Sequence, residues 1–140
     1  MRRLFRHASA CVLAGLALLS GCGRGTAPAV PRTPGAVLYL TNCSACHQPD
    51  GHGIASMYPP LAATPVTLGD PATLLAWVLF GERPPELPKG AYAGLMPQFG
   101  YLSDADAALI LTHVRSSFGN HASAVTPAMV AAARAVRRGR

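Results

Sequence analysis

The stretch Cys43-Ser44-Ala45-Cys46-His47 decides the fold of this chain. The spacing Cys-x-x-Cys-His is the pattern through which c-type haem is attached to protein. Two thiols three positions apart lie on one helical turn, so each can form a thioether with one haem vinyl group. The histidine that follows directly can supply a neutral imidazole nitrogen to the iron. We therefore predict one covalent haem c, held by Cys43 and Cys46, with His47 as an axial ligand.

Two other kinds of site also use a Cys-x-x-Cys pair. A zinc site needs four ligands, usually from a second Cys or His pair at zinc-like spacing. The only other cysteines, Cys11 and Cys22, lie in a segment that we expect to be removed or lipidated. A thioredoxin-like dithiol needs a βαβ context, and the sequence has no such pattern. Both alternatives are less favoured than haem.

The charge distribution argues against nucleic-acid binding by the folded part of the chain. Of the 140 residues, 13% are charged, and the formal net charge is +6. Most of the basic residues lie near the two ends, whereas residues 35–122 carry three bases and six acids, a net charge of −3. Two haem propionates would make this part more negative. A mildly acidic domain lacks the basic patch that nucleic-acid binding requires.

Residues 1–21 are predicted to be an export signal. Three arginines (Arg2, Arg3 and Arg6) precede an apolar run that is too short to span a bilayer as a stable anchor. Leu19-Ser20-Gly21-Cys22 resembles the lipobox of bacterial lipoproteins, which implies cleavage before Cys22 and a lipid on its thiol. The alternative is an incidental cysteine near an ordinary cleavage site. Residues 22–34 are rich in Pro and Gly and are predicted to form a linker.

Helical periodicity predicts an all-α domain over residues 35–121. We expect about three to four helices around the haem and no strands. The predicted helices are Gly35 to Cys46 (capped by Thr33, with Pro34 at its first position), Pro71 to near Gly81 (capped by Asp70), and Ser103 to Phe118. Residues 48–69 and 83–102 are predicted to be irregular. Residues 122–140 are assigned to a basic C-terminal tail, with an amphipathic helix after Thr126-Pro127.

A second iron ligand has to come from elsewhere in the chain. His52 and Met57 lie too close to His47 in sequence, and Met129 lies in the tail; His113 and His121 are the remaining candidates besides Met96. Met96 lies far downstream in a proline-rich loop between two helices, where the chain can wrap around the edge of the ring. Most methionines are packing residues, so it is position that favours Met96.

These residues together resemble a class I c-type cytochrome. The resemblance covers about residues 33–120 and rests on Gly35, Tyr39, Cys43 to His47, Pro59-Pro60-Leu61, Met96-Pro97-Gln98-Phe99 and Leu102-Ser103-Asp104. It implies that the first and last helices cross, that Met96 is the distal ligand, and that the Pro60 carbonyl accepts the His47 N–H. His113 stands where relatives often carry an aromatic residue, and we interpret it as structural. Within the family, Tyr58-Pro-Pro-Leu-Ala and the stretch 111–120 are similar to the C-terminal haem domain of quinoprotein alcohol and aldehyde dehydrogenase cytochrome subunits.

The resemblance implies a one-electron carrier in a periplasmic respiratory or dehydrogenase chain, and not an enzyme. A haem with both axial positions filled has no open coordination site for a substrate. The implied partners are a dehydrogenase donor and an oxidase or cytochrome acceptor, on the periplasmic side of a bacterial membrane to which Cys22 anchors the protein. The alternatives are a permanent haem subunit of a membrane-bound dehydrogenase or oxidase complex, and a five-coordinate catalytic or gas-binding haem protein.

Overall fold

The computed structural model describes residues 33–87 and 89–139. The predicted export signal, the predicted lipidation site at Cys22 and nearly all of the predicted linker lie outside these residues. Within the described residues the chain is helical, and the only β pairing is an isolated bridge between Ile54 and Tyr58. The all-α prediction is confirmed, with six helices where three to four were expected: α1 (Pro34–Asn42), α2 (Ser44–His47), α3 (Pro65–Leu68), α4 (Pro71–Phe80), α5 (Asp104–Ser116) and α6 (Pro127–Arg138).

The first predicted helix is divided in two at Cys43. Thr33 caps α1 as predicted, because its side chain accepts the Ala36 N–H, and Pro34 occupies the first turn. Cys43 has φ −121° and ψ −31°, outside the helical region, so α1 ends at Asn42 and α2 begins at Ser44. The Cys-x-x-Cys-His stretch therefore has a helix of its own.

Helices α1 and α5 approach each other at Gly35, as the resemblance implied. A Cβ atom on Gly35 would lie 2.5 Å from the Leu109 carbonyl oxygen and 3.1 Å from Cβ of His113. Such distances require the absence of a side chain at this position. Tyr39, one turn further along α1, is 1% exposed in the same contact.

Helix α4 has the predicted boundaries, whereas α3 was not predicted. The Asp70 carboxylate accepts the Ala72 and Thr73 N–H groups at the start of α4, and Gly81 ends the helix with φ 73°. Helix α3 lies within the segment predicted to be irregular. It is one turn long, with Thr64 as its cap, and so short an element has too few residues to show a periodic pattern.

Helix α5 begins as predicted and ends earlier. The Ser103 hydroxyl accepts the Asp106 N–H and donates to the Asp106 carboxylate, so Ser103 caps the helix. The helix ends at Ser116, and both Phe118 and Gly119 have positive φ, 59° and 80°. The chain therefore turns one or two residues before the predicted end.

Residues 122–139 are part of the same compact unit as the other helices. Thr126 caps α6 and Val130 is 0% exposed, in the same cluster as residues of α4 and α5. The amphipathic helix expected after Thr126-Pro127 is thus packed against the domain.

Two buried polar side chains connect α5 to the loop before α4. Arg115, 2% exposed, donates hydrogen bonds to the carbonyl oxygens of Thr67, Gly69 and Ser123. Asn120 donates to the carbonyl oxygens of Leu61 and Val114 and accepts the Ala63 N–H. Each side chain satisfies several backbone groups that would otherwise be buried without partners. None of the helices in residues 33–139 combines the length and apolar character that a bilayer crossing needs.

We predict that Gly35→Ala lowers the free energy of unfolding of the haem-loaded protein by about 1–3 kcal/mol. Alanine favours an unobstructed helix by about 1 kcal/mol over glycine. The substitution would therefore stabilise the protein if α1 and α5 were not in close contact at this position. Here the added methyl group would push against the α5 backbone. Guanidinium-induced unfolding followed by far-UV circular dichroism measures the difference.

The matched control is Val37→Ala on the same helix, at a side chain that is 51% exposed. Its effect should stay within about 0.5 kcal/mol. A Gly35→Ala variant more stable than the original protein would contradict the close approach of α1 and α5.

Candidate functional site

An apolar cavity brings together the three residues of the Cys-x-x-Cys-His motif and the Met96 loop (residues 90–102). Cys43 lines it from the break between α1 and α2, Cys46 and His47 line it from α2, and Met96 lines it from the loop. Its apolar lining includes Leu61, Val66, Leu74, Trp77, Val78, Phe99, Leu102, Ile110, Leu111 and Val114. A few polar groups in a mostly apolar cavity are typical of a cofactor site.

His47 is held in place by a hydrogen bond to the loop that follows the motif. Its ring is 8% exposed, and Nδ1 lies 3.0 Å from the carbonyl oxygen of Pro59. Because Nδ1 donates this bond, Nε2 is the nitrogen available to a metal. Burial lowers the pKa of His47, and the hydrogen bond to Pro59 opposes that shift only in part. The ring is therefore kept neutral, as an iron ligand must be.

The carbonyl that faces His47 is that of Pro59 and not that of Pro60, so the prediction for Pro60 is wrong. The turn before it fixes this orientation. Ile54 and Tyr58 exchange two backbone hydrogen bonds of 2.9 and 2.8 Å, and Leu61 donates to the Gly51 carbonyl. Between these bonds, the Pro59 carbonyl is directed to the histidine. Pro60 still lines the cavity.

The environment of Cys43 does not suit a redox dithiol. Burial, and secondarily the nearby Cys46, raises the pKa of Cys43 to about 11. Reactive dithiols depend on a lowered pKa, because the thiolate is the nucleophile. Among the described residues, no group of three His, Cys, Asp or Glu side chains is placed to hold a metal ion. The zinc alternative therefore has no ligand set there.

The donor set and the cavity fit a covalently held haem. Two thiols can attach to the vinyl groups, one imidazole nitrogen and one thioether sulfur can bind the iron, and apolar side chains can enclose the ring. Of the His and Met residues in 33–87 and 89–139, His47 and Met96 are the two that line this cavity.

The other candidate ligands lie elsewhere. Met57 is 41% exposed, and Met129 lines a separate groove beside α6. His52 and His121 are exposed. His113 packs between two aromatic rings: its centroid lies 5.4 Å from that of Tyr39 and 5.6 Å from that of Phe118. The interpretation of His113 as structural agrees with this position.

The Met96 loop is attached to the rest of the domain on both sides of the methionine. Before it, Gly94 N–H donates to the Met57 carbonyl at 2.9 Å, in the turn that also carries Pro59. After it, Phe99 N–H donates to the Val78 carbonyl at 2.9 Å. Residues 95–98 themselves make no backbone hydrogen bond with the described part of the chain. Met96 is thus placed by two anchors and not by its own backbone.

Gly94 and Tyr58 form a contact that the sequence did not single out. The Tyr58 ring lies where a Cβ of Gly94 would be, and the Met57 carbonyl oxygen would be 2.7 Å from that Cβ. Tyr58, Cys46 and Met96 line the same cavity, so this ring lies between the motif and the Met96 loop. A glycine two residues before the methionine was the only sequence signal for this contact.

Two further cavity residues lie on the α4 side. Trp77 lines the cavity and also packs against the core. The Arg83 guanidinium lies 6.0 Å from the Trp77 ring centroid and lines the same cavity.

Comparison with known proteins agrees with the motif. The family model described as "Cytochrome c" matches residues 33–118. The alcohol dehydrogenase (quinone) cytochrome c subunit of Gluconobacter oxydans is 41% identical over 108 residues, which cover 76% of this chain and 21% of that protein. The gluconate 2-dehydrogenase cytochrome c subunit of Pantoea cypripedii is 38% identical over 97 residues, 67% of this chain and 22% of that protein. Cytochrome c-552 of Thermus thermophilus is 33% identical over 91 residues, 61% of this chain and 69% of that protein. The chain thus spans about a fifth of the dehydrogenase subunits that it matches.

We predict that Gly94→Ala displaces Met96 in the haem-loaded protein. The added methyl group would overlap the Tyr58 ring and crowd the Met57 carbonyl, so the loop has to move. The near-infrared band that reports sulfur-to-iron ligation in the ferric protein should lose most of its intensity.

Gly90→Ala is the matched control in the same loop. Gly90 has φ 73° and no atom within 4 Å of its Cβ position, so the substitution strains the backbone without a clash. The band should persist in this variant. Equal spectra for the two variants would show that the Gly94 contact does not place Met96.

Proposed function

The chain belongs to the cytochrome c family, and from that premise we propose that it is an exported, lipid-anchored electron carrier whose single haem is ligated by His47 and Met96. The haem c is covalent through Cys43 and Cys46, and the function is electron transfer. Bound haem supplies a reversible one-electron couple at its iron. The observation that carries the ligand assignment is the cavity itself, which His47 and Met96 line together with the two thiols.

Protein ligands on both axial positions make electron exchange the favoured activity. Substrate activation at iron needs an open coordination position, and a methionine there closes it. Methionine is also a weak donor that favours the ferrous state and raises the reduction potential relative to a stronger ligand. Because His47 is oriented by Pro59 and Met96 by its two anchored loop ends, both ligands can stay in place as the charge changes.

The apolar walls of the cavity also raise the reduction potential. Leu74, Val78 and Phe99 line it and are each at most 8% exposed. Side chains of this kind exclude water and disfavour the additional charge of ferric iron.

We propose a dehydrogenase as electron donor and an oxidase or another cytochrome as acceptor. The support is similarity to haem domains in two proteins named as dehydrogenase cytochrome c subunits. The same similarity favours a second candidate, in which the chain is a permanent haem subunit of a membrane-bound dehydrogenase complex. Size-exclusion chromatography of a native detergent extract separates the two, because a free carrier elutes at the size of one chain with its detergent micelle, whereas a subunit elutes at the larger size of the complex.

We further propose a domain order that places this carrier at a membrane surface. Residues 1–21 are the export signal, Cys22 carries the lipid, and the linker over residues 22–34 leads to the haem domain that begins at Gly35. A lipid anchor on the periplasmic side of a bacterial membrane would keep the haem domain close to membrane-bound partners.

We predict that Met96→Ala lowers the reduction potential by roughly a few tenths of a volt, within the range of about 0.8 V that axial ligands span. The change should also abolish the sulfur-to-iron band and let carbon monoxide bind the ferrous haem. Spectroelectrochemistry and the ferrous carbon monoxide spectrum measure these effects.

Met57→Ala is the control, because Met57 is half-exposed and lies outside the cavity. Its potential and spectra should match those of the original protein. A Met96→Ala variant with unchanged potential and an intact near-infrared band would remove Met96 as the ligand.

We predict that Cys22→Ser moves the protein from the membrane fraction to the soluble fraction. Two or three acyl chains on one residue give stable anchoring, and without the thiol none can be added. Cys11→Ser is the control, because Cys11 lies in the apolar run expected to leave with the signal. Fractionation followed by haem staining is the measurement; membrane retention of Cys22→Ser would place the anchor elsewhere.

A further inference from the structure

Helix α6 contributes one arginine side chain to the segment that ends the Met96 loop. The Arg134 side chain is only 20% exposed. Its Nη1 donates to the Gly100 carbonyl at 2.7 Å, its Nη2 donates to the Leu102 carbonyl at 2.5 Å, and its Nε donates to the Asp104 carboxylate at 2.7 Å. A guanidinium presents these donors in a rigid planar fork, so the three acceptors are held in a fixed relation to one another.

The two carbonyls belong to the turn on which Met96 depends. Phe99, between Met96 and Gly100, is bonded to α4 through the Val78 carbonyl, and Leu102 N–H closes the turn on the Phe99 carbonyl at 3.1 Å. Phe99 and Leu102 both line the haem cavity with Met96. Because residues 95–98 have no backbone hydrogen bonds of their own to the described residues, loosening this turn would release the methionine at one of its two anchors.

We propose that Arg134 is a positioning residue for the axial ligand, which it holds through the backbone of Gly100 and Leu102. The inference rests on the proposed ligation by Met96. Arg134 lies outside residues 33–118, the part of the chain that the family model matches. Helix α6 therefore makes the strength of the iron–sulfur bond depend on the docking of the C-terminal segment.

The test measures how readily an external ligand replaces Met96 in the haem-loaded protein. Imidazole is titrated into the ferric protein, and the loss of the near-infrared band gives the apparent affinity. Imidazole binds only when the methionine leaves, so its apparent affinity reports the population of the released loop. Arg134→Gln removes the charged donors from the two carbonyls, and we expect the apparent affinity to rise roughly tenfold or more.

Three controls separate positioning from general stability. Arg137→Gln changes an arginine on the same helix that pairs with Glu82 at 3.5 Å and should leave the affinity within about twofold. Asp104→Asn removes the ion pair while the bonds to both carbonyls remain, and it should also have a small effect. Gly35→Ala destabilises the domain at the contact of α1 with α5 and should not promote imidazole binding under conditions where the protein is folded.

Each outcome decides the question. A tenfold increase in Arg134→Gln that the three controls do not show supports the proposal, and Arg134→Lys, which cannot present the planar fork, should give an increase in the same direction. If Arg134→Gln fails to retain a folded haem domain, the Arg134→Lys titration alone decides. The proposal would be overturned by an unchanged imidazole affinity in the Arg134 variants. It would also be overturned if Gly35→Ala increased that affinity as much as the Arg134 variants do. If the original protein has no near-infrared band, ligation by Met96 is wrong, which is a different failure from that of Arg134.

Discussion

The hydrogen bond between Nδ1 of His47 and the Pro59 carbonyl is the interaction on which the arrangement of the site depends. It fixes the tautomer and the direction of the ring, and it ties the Cys-x-x-Cys-His helix to the turn that follows it. The same turn accepts the Gly94 N–H through the Met57 carbonyl. One short segment therefore positions both the histidine and the loop that carries Met96, although the two ligands lie far apart in sequence.

Features set by local chemistry were predictable from the sequence. The caps Thr33, Asp70 and Ser103 lie where expected, because a side-chain acceptor before a helix satisfies free N–H groups in any context. The haem-attachment motif was equally predictable, because the chemistry of attachment requires its spacing. The break at Cys43 was not predictable, because the residues on both sides of it have ordinary helical preferences. It accompanies the packing of the motif against the cavity, which is a tertiary effect.

Sequence position favoured Met96 as the second ligand, and Met96 lines the cavity, but the sequence could not choose between two adjacent carbonyls. Whether Pro59 or Pro60 faces His47 depends on backbone torsions that are set by the bonds of the surrounding turn. The contacts of the C-terminal arginines were also not predictable from the sequence. Arg134 is bonded inside the fold, and Arg137 pairs with Glu82. Residues 33–139 contain six basic and six acidic residues, so the folded part is formally neutral before haem is counted, and not acidic with a basic tail.

The cavity also explains how so small a domain is stabilised. The buried side chains form two clusters, one around Leu75, Leu79 and Val130 and the other around Tyr39 and Ile110. Members of both clusters line the cavity, so a haem bound there lies between them and adds apolar contact to each. A domain of about 100 residues buries a smaller share of its surface than a larger one, and a group that binds only the folded state adds to its stability. Thioether attachment makes that contribution permanent, since the group cannot dissociate. The residues that hold the haem therefore also complete the core. Tyr39 and Gly35, in the contact between α1 and α5, stabilise the same core that the haem fills.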